Sequence, residues 1–162
     1  MALYKDLITI KTPKEIDLSK VERMIVVDTA SKNRLGHLKD TASRADLRFC
    51  VYDHHPPSPD DIVGEVLEVH TLGAATTILV EEIIAGNIGI SPFDASILAL
   101  GIYEDTGSLL FSSTTPRDIR AAAFLLERGA NLGVVAILWN IIFRRAKRGI
   151  ARINGQYSPA VY

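Results

Sequence analysis

Apolar residues follow two rhythms along this chain. In the first half they form short compact runs, Leu7-Ile8-Thr9-Ile10, Met24-Ile25-Val26-Val27 and Phe49-Cys50-Val51-Tyr52. Runs of this length, rich in β-branched and aromatic residues, predict buried parallel strands. The last two each hand the chain to an aspartate, Asp28 and Asp53. From Val63 to Val69 apolar residues alternate with Gly64, Glu65 and Glu68, which predicts a fourth and less buried strand. The stretch from Leu35 to Asp46 is rich in Lys, Arg, Asp and Ser and reads as a solvated helix or loop crossover.

The second half switches to a helical period. A helix from Ala74, with Ala75, Ile78, Leu79, Ile83 and Ile84 inward, is stopped by Gly86-Asn87. Ser91-Pro92-Phe93-Asp94 supplies an N-cap serine, a proline at the first helical position and an acid at the third, and starts a helix that buries Ala95, Leu98, Ala99 and Ile102. Asp105 falls near its end. Thr115-Pro116-Arg117-Asp118 repeats the start signal before Ile119, Ala122, Ala123 and Leu126, with Gly129 as the stop. A last helix runs from Val134 to about Lys147 and ends in Arg144, Arg145, Lys147 and Arg148, cations that suit a helix C-terminus. The tail from Ile150 to Tyr162 is polar and irregular. The expected fold is α/β, a Rossmann-like parallel sheet of about four strands with flanking helices.

Composition narrows the function classes. At 162 residues, 48% hydrophobic and 23% charged, the chain has the balance of one globular domain. A net charge of -1 gives the surface as a whole no affinity for polyanions, so any such ligand must be held locally. The single cysteine, Cys50, rules out an intramolecular disulfide and cysteine-rich zinc sites. No secretory signal and no run of about 18 apolar residues stands in the sequence, so a cytoplasmic protein with no membrane partner is expected.

The chemistry concentrates at the ends of the predicted elements. Asp53-His54-His55 closes a strand, at the edge where open α/β sheets bind ligands. Asp28 and Asp105 end two further elements. Oxygen and imidazole donors without thiolates suit Mn2+ or Mg2+, with zinc or iron as alternatives. Two such ions, about 3.5–4 Å apart, would clamp a phosphoryl group. Thr106-Gly107-Ser108, directly after Asp105, offers a small turn suited to an oxyanion, and Gly107 also reads as a helix C-cap.

Val27-Asp28-Thr29-Ala30-Ser31, Tyr52-Asp53-His54-His55-Pro56 and Gly101-Ile102-Tyr103-Glu104-Asp105-Thr106-Gly107 resemble, in order and spacing, the second to fourth motifs of the DHH phosphoesterase family. Leu72-Gly73-Ala74-Ala75-Thr76-Thr77 resembles the family's helix start between the third and fourth motifs. The segment around Leu18 to Arg23 looks closest to DHH domains of large bacterial proteins that also carry CBS domains and a tRNA nucleotidyltransferase or poly(A) polymerase region. The resemblance implies metal ligation by Asp28, His54 and Asp105. It gives a catalytic or supporting role to Asp53 and a substrate-phosphate contact to His55. Arg34, in the loop after Asp28, is a further phosphate contact, joined by Thr106 and Gly107. His37 and His70 lie outside the motifs and read as surface or satisfied histidines.

The family's first motif, a histidine followed by two aspartates, has no counterpart upstream of Asp28, and the first strand and helix of the family fold are expected to be missing with it. Residues 1–132 then form a partial DHH domain, and 133–162 a C-terminal helix and irregular tail without the family's substrate domain. Two Mn2+ or Mg2+ ions serve the intact family; one or none is expected here. The expected function is metal-dependent hydrolysis of a nucleotide or short-oligonucleotide phosphodiester, weak or inactive in this chain. The alternative is a phosphate- or nucleotide-binding or protein-interaction module of a larger RNA-processing protein, with an exposed sheet edge open to a second copy.

Overall fold

The computed structural model describes residues 11–140. The expected first strand at Leu7–Ile10, the basic cluster 144–148 and the tail from Ile150 lie outside the described residues. The chain divides into two compact units, Met1–Thr71 and Leu72–Tyr162.

The first unit is a parallel sheet in the order β1 (Arg23–Val27), β2 (Arg48–Asp53) and β3 (Val66–Val69). Val26, Phe49 and Val51 point to one face and join Ala30, Ala42, Leu47 and Ile62 in the core of this unit. The register sets Val27 beside Tyr52 and Asp53 beside Val69, so the three strands end together. The crossover from β1 to β2 runs through short 3-10 helices, Lys32–Leu38 and Thr41–Ser43, where a solvated helix or loop was expected. β3 is shorter than the alternation of Val63–Val69 predicts. Ile62 donates its N–H to Ala30 O at 2.8 Å, and Ser31 forms an antiparallel bridge with Asp61, so the chain must turn before it can run parallel to β2. Gly64 makes that turn against β2, where a Cβ would lie 2.6 Å from the carbonyl oxygen of Phe49.

The second unit is helical: α1 (Ala75–Ala85), α2 (Pro92–Asp105), α3 (Pro116–Glu127) and α4, described over Leu132–Asn140. Ser91 with Asp94 and Thr115 with Asp118 form capping boxes, each with proline in the first turn. The core is small-residue packing, with Ala74, Ala95, Ala99, Ala121 and Ala122 around Ile102 and Leu125. Alanines at these positions let helices approach closely, and Gly101 carries this to its limit: a Cβ there would sit 2.4 Å from Thr76 Oγ1. The inward stripe of α3 differs from the one expected. Ala121, Ala122 and Leu125 are buried, whereas Ile119 and Leu126 are exposed. The cause is Asp118, which the pattern of apolar residues ignores. Its buried carboxylate sets the phase of the helix one residue earlier, at the 118, 121, 122, 125 spacing of a single helical face. Among the described residues no single helix is long and apolar enough to cross a membrane.

Candidate metal centre

The site of the first unit grows from the common end of β1 and β2. Asp28 adopts a left-handed backbone, φ 64°, while its N–H still donates to Tyr52 O at 2.9 Å. Aspartate tolerates this region better than most residues, and such conformations gather at functional sites. The turn leaves the Asp28 carboxylate half exposed, with Oδ1 3.2 Å from Nε2 of His54. His54 and His55 hold their rings 4.5 Å apart between centroids. Ligand atoms of Asp28, His54 and His55 all lie within 4.8 Å of one another.

Asp53 plays a different part. Its carboxylate is buried, 2% exposed, and collects donors from both sides. Oδ2 accepts the N–H of Ala30 at 2.7 Å; Oδ1 accepts the N–H of His54 at 2.8 Å, the N–H of His55 at 3.3 Å and Nδ1 of His55 at 2.7 Å. Burial alone would raise its pKa, but the hydrogen bonds from His55, His54 and Ala30 outweigh it and hold the carboxyl below its ordinary value. A carboxylate partner at Nδ1 fixes the proton there, so Nε2 of His55 is the acceptor for Nη1 of Arg34 at 3.2 Å. His55 also borders an open cleft of about 290 Å³, lined with Thr29, Ser31, Arg34, Pro56, Ser58 and Asp61.

In the second unit, Asp105 is the last residue of α2 and is partly buried. The turn after it is tightly self-bonded. Thr106 is fully buried, its hydroxyl donating to Ile102 O and accepting from the N–H of Leu109 at 3.0 Å. The N–H groups of Gly107, Ser108, Leu110 and Phe111 all bond within the same turn. Gly107 is required there, since φ is 55° and a Cβ would meet the Phe111 ring at 2.3 Å. These donors hold the turn itself, and the geometry accounts for Thr106 and Gly107 without an anion. His70 pairs with Glu68, Nε2 to Oε2 at 2.9 Å, and His37 is exposed.

No protein-family model matches the chain. It is 42% identical, over 76% of its length, to an A-adding tRNA nucleotidyltransferase from Geobacter sulfurreducens. It is also 33% identical, over 68% of its length, to a bifunctional oligoribonuclease and PAP phosphatase from Mycoplasma genitalium. These relatives support a DHH-family domain in this chain. It spans 14% of the length of the Geobacter protein and 35% of the Mycoplasma protein.

Two solved structures share the fold of this DHH domain. An exopolyphosphatase-related protein from Bacteroides fragilis superimposes with a TM-score of 0.63 at 16% identity, covering 87% of this chain and 38% of that protein. A Methanococcus jannaschii protein assigned to the family II inorganic pyrophosphatases gives 0.60 at 20% identity, covering 79% and 43%.

The donor set of the DHH triplet and Asp28 fits a divalent cation. Bonds of about 2.0–2.2 Å place the ligands of one ion roughly 3–4.4 Å apart, so a spread of at most 4.8 Å needs only small side-chain movements. Two imidazoles and one carboxylate suit a first-row transition ion better than a dedicated magnesium cage. The sequence motifs did not single out Asp60 and Asp118. Asp60 lies just beyond the triplet, where a run of Ser58, Pro59, Asp60 and Asp61 reads as an ordinary turn. Asp118 reads as a capping residue and is also a buried anchor, accepting from Gly73 N at 3.0 Å and Thr77 Oγ1 at 2.6 Å.

Proposed function

We propose that this chain is the cation-binding part of a DHH-family phosphoesterase that acts on nucleotide or short-oligonucleotide phosphate esters. Asp28, His54 and His55 hold the cation, and Arg34 holds the phosphate. The observation that carries this reading is the convergence of ligand atoms from Asp28, His54 and His55 at the common end of two parallel strands. A bound Mn2+ or Mg2+ would polarise a phosphoryl oxygen and favour attack by water.

The chain's own residues supply orientation and charge. Asp53 locks the ring of His55, so that Nε2 faces the site. Arg34 sits on that nitrogen with a guanidinium suited to phosphate oxygens. The described residues form one such donor group, which suits one ion rather than a pair. Turnover by this chain alone is therefore expected to be slow, because the second electrostatic clamp of a two-ion site is worth several kcal/mol of barrier. The name of the Mycoplasma relative, an oligoribonuclease and PAP phosphatase, supports the substrate class.

The deciding experiment is titration with Mn2+ followed by electron paramagnetic resonance, alongside hydrolysis of a dinucleotide. Saturable binding that is lost in His54→Ala, with any turnover lost in parallel, supports the proposal. A wild-type chain that binds no Mn2+ overturns it.

An interaction role has one observation in its favour. Ile25 is 64% exposed and Val27 44% exposed on the sheet face opposite the core. Parallel sheets are ordinarily covered on both faces. Light scattering over a concentration series decides whether this surface pairs two copies.

A further inference from the structure

The loop that carries Arg34 is tied down by a single carboxylate. Asp60 Oδ2 accepts from the hydroxyl of Ser31 at 2.5 Å and from Nδ2 of Asn33 at 2.6 Å, while Oδ1 accepts from the hydroxyl of Ser58 at 2.5 Å. Its backbone carbonyl accepts the N–H of Lys32 at 3.2 Å. Residues 31, 32 and 33 are thus each bonded to Asp60, and Arg34 follows with its N–H on Ser31 O at 3.1 Å. Asn33 passes the order outward, its Oδ1 accepting from Lys39 Nζ at 2.6 Å. Ser31 and Ser58 stand on opposite sides of this knot, and both line the cleft beside His55.

We propose that Asp60 is a positioning residue for the phosphate subsite: it clamps the loop 31–34 to the segment after the DHH triplet and so holds the Arg34 guanidinium against Nε2 of His55. This rests on the phosphate role proposed above for Arg34. Free arginine side chains sample many rotamers, and an anion site built on one gains affinity when the backbone beneath it is fixed. The hydrogen bonds from Ser31 and Ser58 keep the Asp60 carboxyl well below the ordinary range, so it stays ionised and accepting across the working pH. Its negative charge is absorbed by three neutral donors instead of facing the cleft. Asp60 touches none of Asp28, His54 and His55 through any hydrogen bond of the knot, so its loss removes no ligand of the cation.

The test compares the wild type with Asp60→Ala, Asn33→Ala and, as the released reference, Arg34→Gln. Three readouts apply: the 15N shift of His55 Nε2 in histidine-labelled protein, the Kd for adenosine 5′-monophosphate by NMR titration, and the Mn2+ affinity. The expectation is that Asp60→Ala moves the His55 Nε2 shift toward its Arg34→Gln value and weakens the nucleotide about threefold, no more than Arg34→Gln does, since Asp60 acts only through Arg34. Mn2+ affinity does not fall: it stays level or rises by no more than in Arg34→Gln, because a released guanidinium no longer covers Nε2 of His55. Asn33→Ala removes one bond of the knot from an exposed residue and gives a smaller change in the same direction, which keeps the proposal open to refutation if Asp60→Ala does not fold. An unmoved His55 shift with unchanged nucleotide affinity overturns it, as does an equal loss of nucleotide and Mn2+. If the wild type binds no nucleotide, the functional reading fails, and the nitrogen shift alone decides whether Asp60 holds Arg34.

Discussion

Nδ1 of His55 lies 2.7 Å from Oδ1 of Asp53, a carboxylate that the fold buries and surrounds with backbone donors. The pair divides the labour of the triplet. His54 turns toward Asp28 and His55 borders the cleft, while Asp53 turns inward and joins the end of β2 to the loop after β1 through the N–H of Ala30. The first residue of the triplet is thus a structural anchor whose job is to aim the two that follow.

Replacing Asp53 with alanine leaves the N–H groups of Ala30, His54 and His55 without their acceptor. A buried donor stripped of a charged partner costs roughly 1.5–3 kcal/mol, and several share one carboxylate here, so a loss of about 2–4 kcal/mol in stability is expected by urea denaturation. Asp53→Asn is expected to fall between, because its amide must present an N–H to at least one of those donors. A change below about 0.5 kcal/mol for the alanine variant would contradict the anchor role.

Arg34 opposes cation binding and favours anion binding. Its guanidinium contacts His55 Nε2, the nitrogen that a metal would need. Arg34→Gln is therefore expected to tighten Mn2+ while weakening adenosine monophosphate. Arg34 is exposed and screened by solvent, so each effect should be no more than about fivefold, the upper range for exposed charge pairs. Changes of the same sign in both affinities would refute the assignment.

Much of the site was legible because strand ends announce themselves. Met24–Val27 and Phe49–Tyr52 are compact β-branched runs, and each is followed by the aspartate that the structure places at a shared sheet edge. Proline and acid after Ser91 and Thr115 located both capping boxes. What escaped the sequence was long-range polar bonding. Nothing local to Asp60 shows that it will meet Ser31 and Asn33, 29 and 27 residues upstream. Nor does anything near Asp118 show that Gly73 and Thr77 will donate to it, and that hidden bond is also why the apolar stripe of α3 was misplaced by one residue. β3 shortened for the same kind of reason, since Ile62 is tied to Ala30 across the loop.

Gly73 tests the close packing of the second unit. A Cβ there would lie 2.7 Å from Thr106 Cγ2 and 2.8 Å from Asp118 Oδ2, both on buried residues. Neither neighbour can retreat without breaking a hydrogen bond, so Gly73→Ala should overpack the site and cost about 1–3 kcal/mol by thermal or urea unfolding. A variant as stable as the wild type would show that this corner relaxes freely.

Asp118 makes stability depend on pH in a definite direction. Burial pushes its pKa up, but the hydrogen bonds from Thr77, Thr115 and Gly73 prevail and leave it below the ordinary value of 3.8. In the unfolded chain the carboxyl takes up its proton near 3.8, while the folded form is still ionised. Below that pH the unfolded state binds more protons, and stability falls as the pH drops, until the folded carboxyl protonates as well. The stabilisation is complete above this window. Urea midpoints measured from pH 6 down to pH 2 should therefore decline below about pH 4 in the wild type. Asp53 shares the same direction of shift and keeps part of that decline in any single variant. Asp118→Asn should start less stable at pH 6 and show a shallower acid slope. A slope equal to that of the wild type would mean that the Asp118 carboxylate gains nothing from its buried donors.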